Sequence, residues 1–327
     1  DTKAFSSYFE SLKNQGMKGI YGADRYETSA KIANLVCNND NNPGNGCETV
    51  YVASGQNFPD GITVSALAGK NNSVVLLTLN EKLPASTRNF LASHDVKNVV
   101  IAGGLNSVSD GVEQNIKDLG IDTSRLAGKN RYETAMRVAE QFDYTKTVFV
   151  ASGENWPDAL VGSALAGNQN APMLLTRTGQ LNGEVWQYLS QHTPTMINIV
   201  GSTWSDGVIN NFAKAANHSD SRNVKVFSGK DRYETASKLN SAFSYQTTQN
   251  KIGLVSTGKV FADAISAGPL AATLGSNITL VNGDCIMEGA QKSIPSKGYV
   301  NVGGPAVVKS TAASTVCPKP LPKWLQE

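Results

Sequence analysis

Hydrophobic positions along the chain come in short bursts with two different spacings. Runs such as Val50 to Ala53, Val74 to Thr78, Val148 to Ala151 and Met173 to Thr176 are continuous, with no polar alternation. Unbroken β-branched runs of this length predict strands covered on both faces. Between them apolar residues recur at helical intervals, as in Tyr26, Ala30 and Ala33, in Pro84 to Ala92, in Asp110 to Leu119 and in Asp206 to Ala216. Several of these stretches carry a start signal. Asp24, Asn130 and Asp231 are side chains that accept bonds from free helix N–H groups, and Glu27, Glu133 and Glu234 follow three residues later, as in a capping box. Alternating strands and helices predict a parallel sheet with right-handed crossovers.

The same pattern occurs three times. Gly22-Ala-Asp-Arg-Tyr-Glu-Thr28 returns as Gly128-Lys-Asn-Arg-Tyr-Glu-Thr134 and Gly229-Lys-Asp-Arg-Tyr-Glu-Thr235, with the arginines 106 and 101 residues apart. That period is the size of a small domain. Val50-Tyr-Val-Ala-Ser-Gly55 is echoed by Val148 to Gly153 and by Ile252 to Gly258, and Asp60 by Asp158 and Asp263. Each copy closes on a strand ending in small residues, Val99 to Gly104, Ile197 to Ser202 and Val300 to Gly304. A helix and short strand precede each Arg-Tyr-Glu-Thr motif, so the N-terminal segment (Phe5 to Leu12, then Lys18 to Tyr21) is expected to complete the first copy. The expected architecture is α/β: three tandem parallel-sheet sandwich modules, residues 1–104, 105–203 and 204–327. Residues 38–46 read as an insertion in the first module, and residues 319–327 as a short tail.

Composition narrows the function. The 29 Lys and Arg nearly balance the 27 Asp and Glu, which argues against a nucleic-acid binder with a basic stripe. No apolar run is long enough to span a membrane. The first residue, Asp1, follows no leader, so a secreted form is expected to have lost its signal peptide already. Four cysteines allow three pairings; the sequence-local one, Cys37 with Cys47 and Cys285 with Cys317, is favoured over four buried thiols, and it implies an oxidising compartment. Asn71, Asn217 and Asn277 begin glycosylation-type triplets. With three His and no Cys-x-x-Cys, neither a zinc site nor a cofactor is expected.

The repeated Gly-x-(Asp/Asn)-Arg-Tyr-Glu-Thr motif, the Ala-Ser-Gly-x-Asn-x-Pro-Asp loop and the Leu pairs at 76–77 and 174–175 together resemble the cell wall binding repeat 2 family of clostridial and other envelope proteins. The resemblance covers nearly the whole chain. It implies three modules around a pseudo-threefold axis, holding a protein non-covalently on an anionic wall polymer while a separate domain carries activity. Possible disulfides and glycosylation triplets depart from the bacterial pattern and leave the polymer open. Within residues 1–327 no further domain is expected beside the three modules.

Two sets of residues could touch a ligand. Arg25, Arg131 and Arg232 sit at helix starts, where guanidiniums and free N–H groups suit an anionic glycan; the competing reading has them fasten modules together. Asn57, Phe58, Asn155 and Trp156 lie in loops at the C-terminal ends of strands, where ligands of parallel sheets bind. There Gly55 and Gly153 leave room for a ligand to approach the backbone, and the aromatics for stacking on a sugar. Tyr26, Tyr132 and Tyr233 are expected in the core, and Asp60, Asp158 and Asp263 as caps of the following helices. A glycosidase would need two carboxylates about 5–10 Å apart, and one acid per module supplies that only across modules. His94 and His192 read as helix-end residues, His218 as a loop residue, and no nucleophile motif is present. The expected function is therefore a secreted, non-catalytic, cell-wall-associated protein that binds a polysaccharide. The alternatives are an enzyme using inter-module carboxylates, or a protein–protein module.

Overall fold

A computed structural model describes residues 2–14, 16–38, 47–143, 146–201, 203–243 and 251–318. Most of the 38–46 insertion and the 319–327 tail lie outside the described residues. Three four-stranded sheets, all parallel, carry the fold. In unit 1 the strands β2 (Thr49–Ser54), β3 (Val75–Thr78), β4 (Asn98–Ala102) and β5 (Asp122–Leu126) lie in the order β3-β2-β4-β5. Unit 2 repeats this with β6 (Thr147–Ser152), β7 (Met173–Thr176), β8 (Met196–Val200) and β9 (Val224–Phe227) in the order β7-β6-β8-β9. Unit 3 uses β10 (Gly253–Thr257), β11 (Ile278–Val281) and β12 (Tyr299–Val302), and takes its fourth strand, β1 (Gly19–Ile20), from the N-terminus. The continuous apolar runs are buried throughout, as two-sided coverage requires.

One expectation is corrected here. The N-terminal segment does not complete the first sheet. The strand before each Arg-Tyr-Glu-Thr helix pairs with the closing strand of the preceding sheet, β5 with β4 and β9 with β8. By the same phase β1 has only the last sheet to join, and Gly19 and Ile20 pair with Asn301 and Val302 of β12. The N-terminal helix α1 (Thr2–Asn14) supports this closure: Lys13 Nζ donates to the Lys297 carbonyl at 2.6 Å, and Lys297 pairs with Glu10 at 2.6 Å. The chain is thereby a closed ring of three units about a pseudo-threefold axis.

The axis is built from three Ala-, Gly- and Ser-rich helices, α3 (Pro59–Lys70), α7 (Trp156–Asn168) and α11 (Ala262–Thr273), which pack on one another and are buried along almost their whole length. Small side chains permit close approach. A Cβ on Gly167 would stand 3.0 Å from the Ala66 carbonyl oxygen and 3.3 Å from Gly69 Cα. Hydroxyls also cross between units: Ser65 Oγ donates to the Ile265 carbonyl at 3.1 Å and Ser163 Oγ to the Ile62 carbonyl at 2.6 Å. Their counterpart in unit 3 is Gly268, where a Cβ would collide with Ser65 Oγ.

Unit 3 departs from the other two late in its course. Helices α4 (Ala85–Ser93) and α8 (Gly183–His192) give way to a 3₁₀ turn at Ala290–Ser293. There Cys285–Cys317 and a bridge between Ile286 and Val316 fasten the chain, while Cys37–Cys47 closes the first unit's insertion. Both disulfides follow the sequence-local pairing. No helix among the described residues is long and apolar enough to cross a membrane.

Candidate functional site: the grooves between units

Helices α2 (Arg25–Cys37), α6 (Arg131–Ala139) and α10 (Arg232–Ala242) open on the repeated motif, and their N-caps behave as the sequence predicts. Asn130 Oδ1 accepts from the Tyr132 and Glu133 N–H groups, while Glu133 reaches back to the Lys129 N–H at 3.0 Å. Asp24 with Glu27 and Asp231 with Glu234 repeat the arrangement.

With the helix start held in this way, each arginine spans an interface. Arg25 Nη1 donates to the Gly55 carbonyl at 2.6 Å and its guanidinium lies 5.6 Å from the Phe261 ring of unit 3. Arg131 donates to the Gly153 carbonyl and lies 5.7 Å from Phe58 of unit 1. Arg232 donates to the Gly258 carbonyl at 2.7 Å and lies 5.6 Å from Trp156 of unit 2. The three rings meet edge to face near the axis, Phe58 with Phe261 at 6.2 Å and Trp156 with Phe261 at 6.1 Å. A cation over a partly buried ring contributes about 0.5–2 kcal/mol, so the three contacts fasten the ring of units. Phe261 is the member that the sequence reading passed over. Its signal was an aromatic two residues before the repeated aspartate.

Two further expectations are corrected. Gly55 and Gly153 do not leave backbone open to a ligand: a Cβ there would stand 2.6 and 2.8 Å from Cε1 of Tyr26 and Tyr132, and Gly258 of unit 3 meets Tyr233 in the same way at 2.6 Å. The tyrosine packing requires the glycine. Tyr132 and Tyr233 are buried and Tyr26 is half-buried against the same core. Nor do Asp60, Asp158 and Asp263 cap their helices. The N-cap residues Phe58, Asn155 and Phe261 make no side-chain cap bond. Instead each carboxylate tucks against the end of its own closing strand, under Gly103, Gly201 or Gly303. These glycines have φ of +105°, +75° and +118°, and a Cβ would run into the aspartate. This explains why every closing strand ends in small residues.

Burial raises all three aspartates above the usual carboxylate range. For Asp60 the Ser107 hydroxyl and Arg131 oppose the shift; for Asp158, Thr235 and Arg232; for Asp263, Arg25 and Thr28. Each acid faces the helix start of the next unit. The three lie in three separate interfaces and do not form a pair flanking one cleft.

Between units 1 and 2 the interface opens into a groove of about 540 Å³, whose lining includes Asn57, Asp60, Asn106, Ser107, Lys129 and Arg131. Its outer wall is the loop after β4. Arg125 holds that loop, with Nη1 donating to the Gly103 and Val108 carbonyls at 2.8 and 2.9 Å and Nη2 paired with Glu113 of α5 (Asp110–Lys117) at 2.6 Å. Asn57 and Asn155 are exposed, whereas Phe58 and Trp156 are half-buried beneath the arginines.

The remaining candidates fall outside the grooves. His94 and His192 stack on Phe90 and Tyr188 at helix ends, with Nδ1 at 2.9 Å from the same residues' carbonyls, and His218 Nε2 lies 2.7 Å from the Pro194 carbonyl. Asn277 is fully buried and its amide donates to the Ser293 carbonyl, so the folded chain offers no glycosylation site there. The Asn71 amide is bonded to the Tyr51 hydroxyl at 2.6 Å; Asn217 is exposed. Among the described residues no group of three or more His, Cys, Asp and Glu gathers as a metal site.

Fold and interfaces define a class: a closed ring of three small α/β units, with a polar groove open between the first two. The chain belongs to the cell wall binding domain 2 (CWB2) family, which it matches over residues 20–113, 125–208 and 227–313. It is 29% identical over 306 residues to the N-acetylmuramoyl-L-alanine amidase LytC of Bacillus subtilis, a match covering 93% of this chain and 58% of that protein. It is 30% identical over 275 residues to the amidase enhancer of the same organism, covering 84% of this chain and 36% of that one. Cwp6 from Clostridium difficile has a similar structure, with a TM-score of 0.81 at 25% identity over 92% of this chain and 48% of its own. Cwp8 from the same organism shares the fold, with a TM-score of 0.78 at 22% identity over 93% of this chain and 52% of its own. The chain thus spans about a third to three-fifths of the length of these relatives. Family membership associates it with the cell wall.

Proposed function

We propose that the chain is a secreted, non-catalytic anchor that attaches to an anionic cell-wall polysaccharide through the surfaces between its units. The observation that carries this reading is the open groove between units 1 and 2, where Lys129 and Arg131 stand beside the amides of Asn57 and Asn106. Cations and amides together suit a polymer that carries both negative charge and hydroxyls. In this reading Asn57 and Asn155 contact the polymer. Arg25, Arg131 and Arg232, with Phe58 and Trp156, shape and charge the groove walls while fastening the units. Resemblance to an amidase and an amidase enhancer fits an anchor that serves wall-degrading enzymes. The enzyme alternative is disfavoured because Asp60, Asp158 and Asp263 are each committed to a different interface.

Sedimentation with isolated Gram-positive cell walls, before and after hydrofluoric acid strips phosphate-linked polymers, tests the proposal. Binding lost on stripping is the expected result. A protein that never sediments with walls, or that sediments equally with stripped walls, refutes it.

A further inference from the structure

The flank of unit 1 carries a further opening, a cleft of about 600 Å³ between helices α2 and α4. Ala30, Pro84 and Phe90, all buried, form its apolar part. The repeat shows why it is open. In unit 2 the same two helices are α6 and α8, and Met136 and Glu184 stand where unit 1 has Ala30 and Ser86. Met136 is buried in one cluster with Val185 and Tyr188 of α8, and Glu184 accepts a bond across the cleft from Asn130 Nδ2 at 3.1 Å. In unit 3 the second helix is replaced by the 3₁₀ turn at Ala290–Ser293. Two short side chains, Ala30 and Ser86, thus leave open in unit 1 a space that unit 2 fills.

The chemistry of the walls selects an occupant. Their charges are committed to one another and to the helix start. Glu27 accepts from the Ala23 N–H at 2.7 Å and pairs with Lys31 at 3.1 Å, and Asp24 Oδ1 accepts from the Glu27 N–H at 2.8 Å. Two carboxylates against one ammonium also repel a polyanion. The groups left over are uncharged: the Ser86 hydroxyl and the exposed Asn89 amide line the cleft and make no hydrogen bond among the described residues. A hydroxyl and an amide beside an apolar surface suit a neutral sugar with an acetamido group. The sugar's hydroxyls and amide satisfy Ser86 and Asn89, and its methyl covers the apolar part. The volume lies within the range of small-ligand sites, about 300–1,000 Å³.

We infer that the cleft between α2 and α4 is a saccharide site that holds an uncharged acetamido sugar of the wall, separate from the groove between units 1 and 2. The inference rests on the anchoring reading for the source of the sugar, and adds to that reading a second contact of different chemistry. Weak contacts carried by one chain reinforce each other, because binding at one raises the effective concentration at the other.

Calorimetric titration of the full chain with soluble tetrasaccharides tests the inference. Chitotetraose, built from N-acetylglucosamine, is the probe, and cellotetraose, with hydroxyls in place of the acetamido groups, is its matched control. Chitotetraose is expected to bind about tenfold or more tightly than cellotetraose. Ala30→Met/Ser86→Gln fills the cleft with side chains of the size that unit 2 accommodates, the glutamine amide donating to Asp24 in place of the Asn130–Glu184 bond. Asn89→Ala removes an exposed side chain with no bond to lose. Both variants are expected to weaken chitotetraose binding about tenfold or more at unchanged melting temperature, and Lys129→Ala, in the other groove, to leave it unchanged. Wild type that does not bind chitotetraose or binds cellotetraose equally, or full binding by either variant, overturns the cleft inference and leaves the anchor intact. Wild type that binds chitotetraose but never sediments with walls refutes the anchor, and with it the wall as the source of the sugar.

Discussion

Glu113→Gln isolates the ion pair that shapes the groove's outer wall. Glu113 accepts from Lys117 at 2.9 Å, from Arg125 at 2.6 and 3.1 Å, and from Thr123 at 3.0 Å. Lys117 first, then Arg125 and Thr123, hold its carboxyl down at about 2, against an opposing push from burial. A fall from the ordinary 4.5 to about 2 corresponds to roughly 3 kcal/mol at 1.36 kcal/mol per unit. Lys117 is half exposed and water screens its contact, so about 1–2 kcal/mol is the expected net contribution. The sign follows from linkage. The folded state binds this proton more weakly than the unfolded chain, so the stabilisation is complete above pH 4.5 and drains away as the pH falls toward 2. Urea unfolding at pH 7, 5, 3.5 and 2.5 should show Glu113→Gln less stable than wild type by about 1–2 kcal/mol at pH 7 and 5. The two curves should converge toward pH 2. A gap that stays constant with pH, or the absence of a gap at pH 7, refutes the assignment of this stability to the ionised carboxylate.

Asp158 has the opposite sign: burial raises it, so its ionised form is penalised in the folded state at neutral pH. Asp158→Asn should raise the melting temperature at pH 7 and lose that advantage below about pH 3.8, where wild type is also protonated; a variant less stable than wild type at pH 7 contradicts this. Gly167→Val at the axis forces a branched side chain against Ala66 and Gly69 and should cost about 1–3 kcal/mol in chemical denaturation, whereas an unchanged midpoint would mean that the axial helices have slack. Replacing Cys285 and Cys317 by Ser opens a loop with sequence separation 32, against 10 for Cys37 and Cys47. By loop entropy the former should cost about 3.7 kcal/mol and the latter about 2.8; the reverse ranking in urea unfolding would refute the entropic account.

Most of what is local or repeated was legible along the chain. Strand positions, helix starts and the Asp/Asn–Glu caps depend on neighbours within a few residues, and three copies of each signal removed ambiguity. The local disulfide pairing was legible for the same reason. Tertiary structure alone decided the roles of residues whose partners belong to another unit. Arg25, Arg131 and Arg232 reach their aromatic partners across interfaces, more than seventy residues away in sequence. Asp60 looked like a cap because it opens a helix, yet its carboxylate is directed by Gly103 and Ser107 at the end of the closing strand. The placement of β1 was likewise beyond local reading, since phase within a repeat does not say which sheet edge is free until the ring closes. The groove was hidden in the same way: Lys129 has a sibling in Lys230, and only folding gathered Lys129, Arg131 and Asn106 around one opening, because charge acts through distance in space and not along the chain.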